Sequence, residues 1–168
     1  TELANSFDLF TVEKAREFAM ATQAQLGKNL MAAIQRGGTQ EAIPFCNIKA
    51  LPITDSMALA SAAYIQRVTN KPRNPNNEAN SYETSLIEQY QSQLSRGETL
   101  HPHSAEAPDG EVFYFPILTN AMCLQCHGTP GKEVQELTLE NLKKYYPADK
   151  ALEYGTNEVM GLWKVIPN

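Results

Sequence analysis

The sequence predicts an α+β fold with an antiparallel sheet, and three observations carry that expectation. A long amphipathic stretch opens the chain, strand-like runs and short helices share the middle, and a hairpin pattern followed by a last strand closes it. At 168 residues, with 42% apolar and 20% charged residues, the chain is neither disordered nor collagen-like. One domain over 1–168 fits this length, and a domain of this size buries roughly 70% of its unfolded surface without disulfide staples. No repeat or low-complexity tract interrupts it.

Residues 6–36 read as the long helix. Ser6 stands at its N-cap, and Phe7, Phe10, Phe18, Leu26, Leu30 and Ile34 recur at helical spacing before Gly37–Gly38 ends it. That aromatic-rich stripe is a core face. Thr39 is placed to cap a second helix to about Ala50, strained at Pro44 and closed by Pro52, and Asp55 to cap another short one. Ala63–Thr69 alternates as a strand, and 70–77 is a polar, proline-studded loop. Ser81 is the expected N-cap of a helix that runs to about Arg96 and stops at Gly97. Glu98–Leu100 and Glu111–Leu118 are expected as strands, with a Pro108–Asp109–Gly110 turn between them. In the second, Val112 and Tyr114 face one side and Phe113 and Phe115 the other. A polar helix is expected from Thr138 to Tyr146, one more turn near Asp149, and a final strand from Met160 to Ile166.

A net charge of −5 argues against a nucleic-acid binder held by phosphate contacts. No apolar run approaches the roughly 20 residues of a membrane span. Thr1–Asn5 shows no basic stretch leading into an apolar one, which says nothing about the compartment.

The chemistry concentrates at Cys123–Leu124–Gln125–Cys126–His127, the C-x-x-C-H attachment signature of c-type haem. Two thiols at this spacing add across the two vinyl groups of one porphyrin, and a helical turn brings the next residue, His127, beneath the iron as an axial ligand. Gly128 then gives the chain room to turn. Rival readings ask for more. A zinc site needs the isolated Cys46 beside Cys123, Cys126 and a histidine; a thioredoxin-like site needs a βαβ context; a Cys123–Cys126 disulfide closes a strained small loop. One covalently attached haem c implies an exported protein, in a periplasm or a thylakoid-type lumen, because thioether attachment takes place on the exported side of a membrane.

With Cys123 and Cys126 used as tethers, Cys46 is a lone thiol. It reads either as a small buried residue or as an axial thiolate, which favours the ferric state. His101, His103, Met20, Met31, Met57, Met122 and Met160 compete for that position; Met122 adjoins the attachment site and cannot reach the far face. Spacing alone leaves Cys46, a histidine and an open site unresolved. Arg67 and Arg73, with Lys71 behind them, are candidate partners for haem propionates. Tyr64, Phe113, Phe115 and Trp163 are candidates to wall the haem.

The order of these motifs resembles a known family. A lone cysteine after a helix is followed by Arg73–Asn74–Pro75–x–Asn77, by a strand ending in Pro116–Ile117, and by Cys–Leu–x–Cys–His–Gly at 123–128. Tyr146–Pro147–x–Asp149–x–Ala151 and a late strand with Gly161 complete it. Over about residues 7–166 the chain is similar to the PAS-like c-type haem domain found in periplasmic parts of bacterial sensors and as stand-alone cyanobacterial proteins. In place of the proline and aromatic that many members carry after the Arg–Asn–Pro stretch, this chain has Glu78–Glu83. The resemblance implies a PAS-like antiparallel sheet flanked by helices. It also implies a His/Cys axial pair, matched here by His127 and Cys46.

The function expected is a redox or diatomic-gas sensor in which Cys46 is exchanged at the iron, with a small gas or a redox partner as its counterpart. A low-potential electron-transfer cytochrome is the alternative, and a peroxidase-like enzyme with His101 or His103 as distal base is a third. No paired carboxylates suggest acid–base catalysis, so an enzyme is not expected. The long N-terminal helix is placed either to pair with a second copy or to cover its own sheet.

Overall fold

The structure, a computed structural model, describes residues 2–61, 63–108 and 110–167, with side chains from 11 to 60 in the first helix. The expected cap Ser6, the stripe members Phe7 and Phe10, and the turn residue Asp109 lie outside the residues whose side chains are described.

Four antiparallel strands form one sheet in the order β1-β4-β3-β2, with β1 at Ala63–Val68, β2 at His103–Ala107, β3 at Gly110–Leu118 and β4 at Val159–Pro167. Helix α1 (Glu2–Ser61) lies on one face and α2 (Ser81–Ser95) on the other. The α+β class is as expected. Alternation along β3 divides the core in two. Phe113 and Phe115 join Ile65, Trp163 and Val165 against Ala15 and Ala19 of α1. Val112 and Tyr114 join Val68 and Leu162 against Leu86, Ile87 and Tyr90 of α2. The long N-terminal helix therefore covers its own sheet.

Helix α1 is broken where the two glycines predict, at Gly37 (φ −156°, ψ 23°) and Gly38 (φ 67°, ψ −162°). Gly38 holds a positive φ that an L side chain rarely adopts. Beyond the break the expectation of two short helices fails: residues 39–61 form one arm that runs through both Pro44 and Pro52. Each proline removes one main-chain donor, but tertiary packing holds the arm regardless. Ala42 and Ile43 are buried, Ala58 packs on the sheet core, and the Thr54 hydroxyl donates to Ala50 O at 2.9 Å.

Other boundaries move for identifiable reasons. The N-cap of α2 is Asn80, not Ser81: its side chain accepts from Glu83 N while the Glu83 carboxylate accepts from Asn80 N. The segment 98–100 is not a strand. Gly97 (φ 73°) ends α2, Pro102 interrupts extended pairing, and the strand opens at His103. Helix α3 covers Leu124–His127, and α4 covers Glu136–Tyr145, two residues earlier than expected at its start. No turn of helix forms after Asp149. At Gly161 the strands β4 and β1 come so close that a Cβ would sit 2.6 Å from Val68 O.

Among the described residues Glu83 is the one buried carboxylate on the α2 side, at 2% exposure. It accepts from Lys164 Nζ at 2.7 Å and from Tyr114 Oη at 3.3 Å, in addition to its capping bond. Beside that carboxylate the Tyr114 phenol is pushed well above its usual range, first by burial and then by the Glu83 charge. Replacing Glu83 with Ala leaves the Lys164 ammonium uncompensated and opens the helix cap. We expect Glu83→Ala to cost about 3–5 kcal/mol in urea unfolding, and a loss under about 1 kcal/mol contradicts the role assigned to the pair.

Candidate functional site: a thiol, imidazole and guanidinium cluster around the C-x-x-C-H turn

The C-x-x-C-H segment folds as one tight turn. Cys126 N donates to Cys123 O at 3.3 Å, His127 N to Cys123 O at 3.0 Å and Gly128 N to Leu124 O at 2.9 Å. Asn120 caps the entry, with its Oδ1 accepting from Cys123 N at 3.2 Å. One turn of α3 thus holds both thiols and the imidazole together. Gly128 is required sterically rather than by its φ of −77°: a Cβ there would meet Leu124 O at 2.6 Å and Glu133 Cβ at 2.7 Å.

The irregular segment 149–154 lies along this turn. Tyr154 N donates to His127 O and Glu153 N to Gly128 O, both at 2.9 Å. Glu153 adopts a φ of 67° to do so. His127 Nδ1 lies 2.9 Å from Ala151 O, which assigns the ring proton to Nδ1 and leaves Nε2 free to bind a metal. Tyr154 meets the imidazole edge-on at 6.3 Å between centroids. Burial, and then the Arg73 charge, lower the His127 pKa to about 3, so the ring is neutral at ordinary pH, the form that ligates metal.

Cys46, on the second arm of α1, is brought to the same place from 80 residues away in the chain. It lies within electrostatic range of Cys126, Arg67, Arg73 and Tyr146. Ile43, one turn before it, packs with Val134 and Leu142, and Cys126 packs against that same cluster. Burial pushes the Cys46 thiol up, and the two guanidinium groups pull partly against that. Burial likewise raises Cys126, again with Arg73 opposing. All three cysteines are free thiols, half-buried.

The two arginines named from sequence take different positions. Arg73 is committed to protein groups: Nε donates to Asp149 Oδ1 at 3.1 Å, and Nη2 to Cys126 O at 2.5 Å and Ala151 O at 2.9 Å. Arg67 lies on the α1 face of β1 with its guanidinium 5.8 Å from the Trp163 ring centroid, and among the described residues its side chain makes no ion pair or hydrogen bond. Trp163 is 1% exposed and belongs to the α1 core, its indole N–H donating to Gln23 Oε1 at 3.0 Å. Lys71 donates to Leu152 O at 2.6 Å and sits 4.2 Å from the Tyr154 ring centroid. Tyr64 points away from the site, onto the opposite face of the sheet, where it is half exposed.

The rival ligands are placed elsewhere. His103 pairs with Tyr114 across β2 and β3 and reaches the Tyr82 hydroxyl at 2.6 Å, on the α2 face of the sheet. His101 and Met20 are exposed. Met160 packs with Leu124, Ala151 and Tyr154 behind the C-x-x-C-H turn. Among the described residues no group of three or more His, Cys, Asp or Glu side chains is arranged to hold a metal ion.

Sequence reasoning missed the roles of Asp149, Ala151 and Tyr154. Asp149 and Ala151 stand in the Tyr–Pro–x–Asp–x–Ala motif, so they were visible as a pattern. Their task was not, because it lies in a main-chain carbonyl and a contact across some 76 residues. The donor set fits a covalently held haem: two thiols and an imidazole on one turn, a free Nε2, and a further thiol converging from another element.

Fold and site together define an α+β protein whose antiparallel sheet is flanked by helices and carries a C-x-x-C-H turn beside it. The model of the Tll0287-like family matches residues 9–167, and the chain belongs to that family. The fold is similar to that in the crystal structure of the cyanobacterial haem protein Tll0287, with a TM-score of 0.60 at 20% identity over 88% of this chain and 90% of that one. No curated protein matches the sequence. Among the described residues no helix is long and apolar enough to cross a membrane.

Adding a methyl group at Gly128 forces either the α3 turn or Glu133 to move. Gly128→Ala is expected to destabilise the chain by about 1–3 kcal/mol in denaturant unfolding, while Gly27→Ala, whose Cβ meets nothing within 4 Å, is expected to do no harm. Equal effects at the two positions contradict the packing described.

Proposed function

We propose that the chain holds one haem c through thioethers at Cys123 and Cys126, with His127 and Cys46 as axial ligands, and acts as an exported redox or diatomic-gas sensor. The observation that carries this reading is the C-x-x-C-H turn with His127 Nε2 left free, together with the arm of α1 that bears Cys46, which packs through Ile43 on the same cluster as Cys126. Membership of a family whose namesake is a haem protein supports it. When bound, haem supplies a one-electron ferric–ferrous couple and a site for diatomic ligands.

The residues of this chain have separable tasks. Cys123 and Cys126 fix the macrocycle to one turn of helix. His127 presents Nε2, with its ring plane held through Nδ1. Cys46 holds or releases one proton at Sγ. Burial favours the neutral thiol, while Arg67 and Arg73 offset the charge of the thiolate. These two tendencies oppose each other at Sγ, so the protonation of Cys46 would respond to the charge of a group bound beside it. In this reading Arg67, which makes no ion pair or hydrogen bond among the described residues, is the partner of a haem propionate.

Replacing Cys46 with Ala or Ser is expected to change the ferric absorption spectrum while the reduced, pyridine-treated protein still reports two thioethers. A ferric spectrum identical to wild type excludes Cys46 as a ligand. The second reading, low-potential electron transfer, rests on the same thiol, since an anionic ligand stabilises ferric iron. Rapid electron self-exchange in solution favours a carrier, and slow exchange with ligand loss on reduction favours a sensor.

A further inference from the structure

We propose that the Arg73–Asp149 ion pair is a positioning clamp for His127, acting through the peptide unit of Ala151; this rests on the haem reading above. Asp149 Oδ1 accepts from Ala151 N at 2.9 Å, and Arg73 Nη2 donates to Ala151 O at 2.9 Å. Ala151 is thus held at both its polar atoms by the two members of one ion pair. The same Ala151 O is the partner of His127 Nδ1 at 2.9 Å. Arg73 Nη2 reaches Cys126 O as well, so the guanidinium joins the attachment turn to the segment that orients its histidine.

The environment makes this clamp stiff. The Arg73 and Asp149 side chains are only 12% and 9% exposed, so solvent screens the pair little. The planar guanidinium uses separate N–H groups on separate acceptors, a geometry an ammonium does not reproduce. Neighbouring bonds brace the segment: Lys150 N donates to Pro72 O, and Lys71 ties Leu152 O and covers Tyr154, which walls the other side of the imidazole.

Two consequences follow for the ligand. The imidazole plane is set by a carbonyl that cannot rotate while the pair is intact. That carbonyl is also shared with a cation, so it draws less on the Nδ1 proton, and His127 is a weaker electron donor than it would be on an unshared carbonyl. Arg73 and Asp149 act here as positioning residues; neither touches the group that His127 would bind.

The test compares haem-loaded wild type with Arg73→Gln, Asp149→Asn and Arg73→Lys, reading the low-spin ferric electron paramagnetic resonance signal and the reduction potential. The clamp predicts that all three variants broaden the signal or split it into two species, because each loosens the Ala151 peptide unit: the Arg73 variants at its carbonyl, and Asp149→Asn by removing the charge that holds both Ala151 N and Arg73 Nε. Thioether attachment should be retained. A bare charge effect predicts instead opposite potential shifts for Arg73→Gln and Asp149→Asn, no shift for Arg73→Lys, and an unaltered resonance in all three; that result overturns the proposal. So does loss of thermal stability with an unchanged resonance, the outcome of a merely structural pair. Should Arg73→Gln fail to accumulate, the other two variants carry the same opposed outcomes. A wild-type chain without thioether haem overturns the haem reading and the clamp with it, whereas loaded variants with the wild-type signal overturn the clamp alone.

Discussion

The reversal of α1 at Gly37–Gly38 is the constraint on which the site depends. Gln25 lines one small cavity with Pro52, Ile53, Ser56 and Met57, and Leu26 and Ala58 pack on the same sheet core. Residues at similar distances before and after the break thus face each other, as in a helical hairpin. A straight helix of this length would run about 90 Å and carry Cys46 away from the sheet. Folded back, the second arm lies against α4, where the Thr39 and Thr138 hydroxyls meet at 2.6 Å and Ile43 packs on Leu142. Cys46 follows one turn later on the arm whose Ile43 shares its cluster with Cys126. A side chain at Gly38 would oppose this through its positive φ, and one at Gly37 through collision with Glu41, which is itself held by Arg36 across the break.

The period of two along the strands then settles which side chains share the space with Cys46. Ala63, Ile65 and Arg67 point to the α1 face, and the cross-strand partner of Arg67 is Trp163. Arg67 consequently emerges at the end of an apolar face, next to a thiol, with an indole beneath it. Tyr64, Gln66, Tyr114 and Lys164 point the other way: Glu83 of α2 accepts from Tyr114 and Lys164, while Tyr64 donates to Gln66 and Gln66 to Asn76 O. His103 belongs to that second side. The pleat, once register is known, puts His103 on the face of the sheet opposite Arg67 and Trp163.

Legibility in the sequence tracked how local the physics is. The C-x-x-C-H turn was readable because its chemistry is written in consecutive residues, and the Gly–Gly break because a positive φ selects glycine wherever it occurs. Local rules misjudged Pro44 and Pro52, since contacts they do not see hold the arm at both ends: Ala42 and Ile43 are buried near α4, and Ala58 packs on the sheet core. They misplaced the cap of α2 by one residue because Asn80 and Ser81 are both good caps, and only the reciprocal bond with Glu83 decides between them. The early strand at 98–100 was read from composition alone, and Pro102 displaced it toward the hairpin. Asp149 and Ala151 formed a motif without a meaning, because a carbonyl has no side-chain identity and its partner Arg73 is far away in the chain.

Two opposed influences meet at Cys46: burial favours the neutral thiol, and nearby positive charge favours the thiolate. A buried thiolate with no counter-charge is costly, and one held in a fixed ion pair is stable. Here neither extreme applies. Arg73 has already committed its donors to Asp149, Cys126 O and Ala151 O, so it lends Cys46 only long-range charge. Arg67 is closer to a free cation, yet it rests on Trp163, and burial lowers its own pKa. Positive charge thus reaches Cys46 from a distance rather than through a direct bond, and burial, the larger influence, holds the sulfur as the neutral thiol. The protein supplies charge near this sulfur without fixing its protonation through an ion pair, because the one guanidinium rich in donors spends them on the Ala151 segment and the attachment turn.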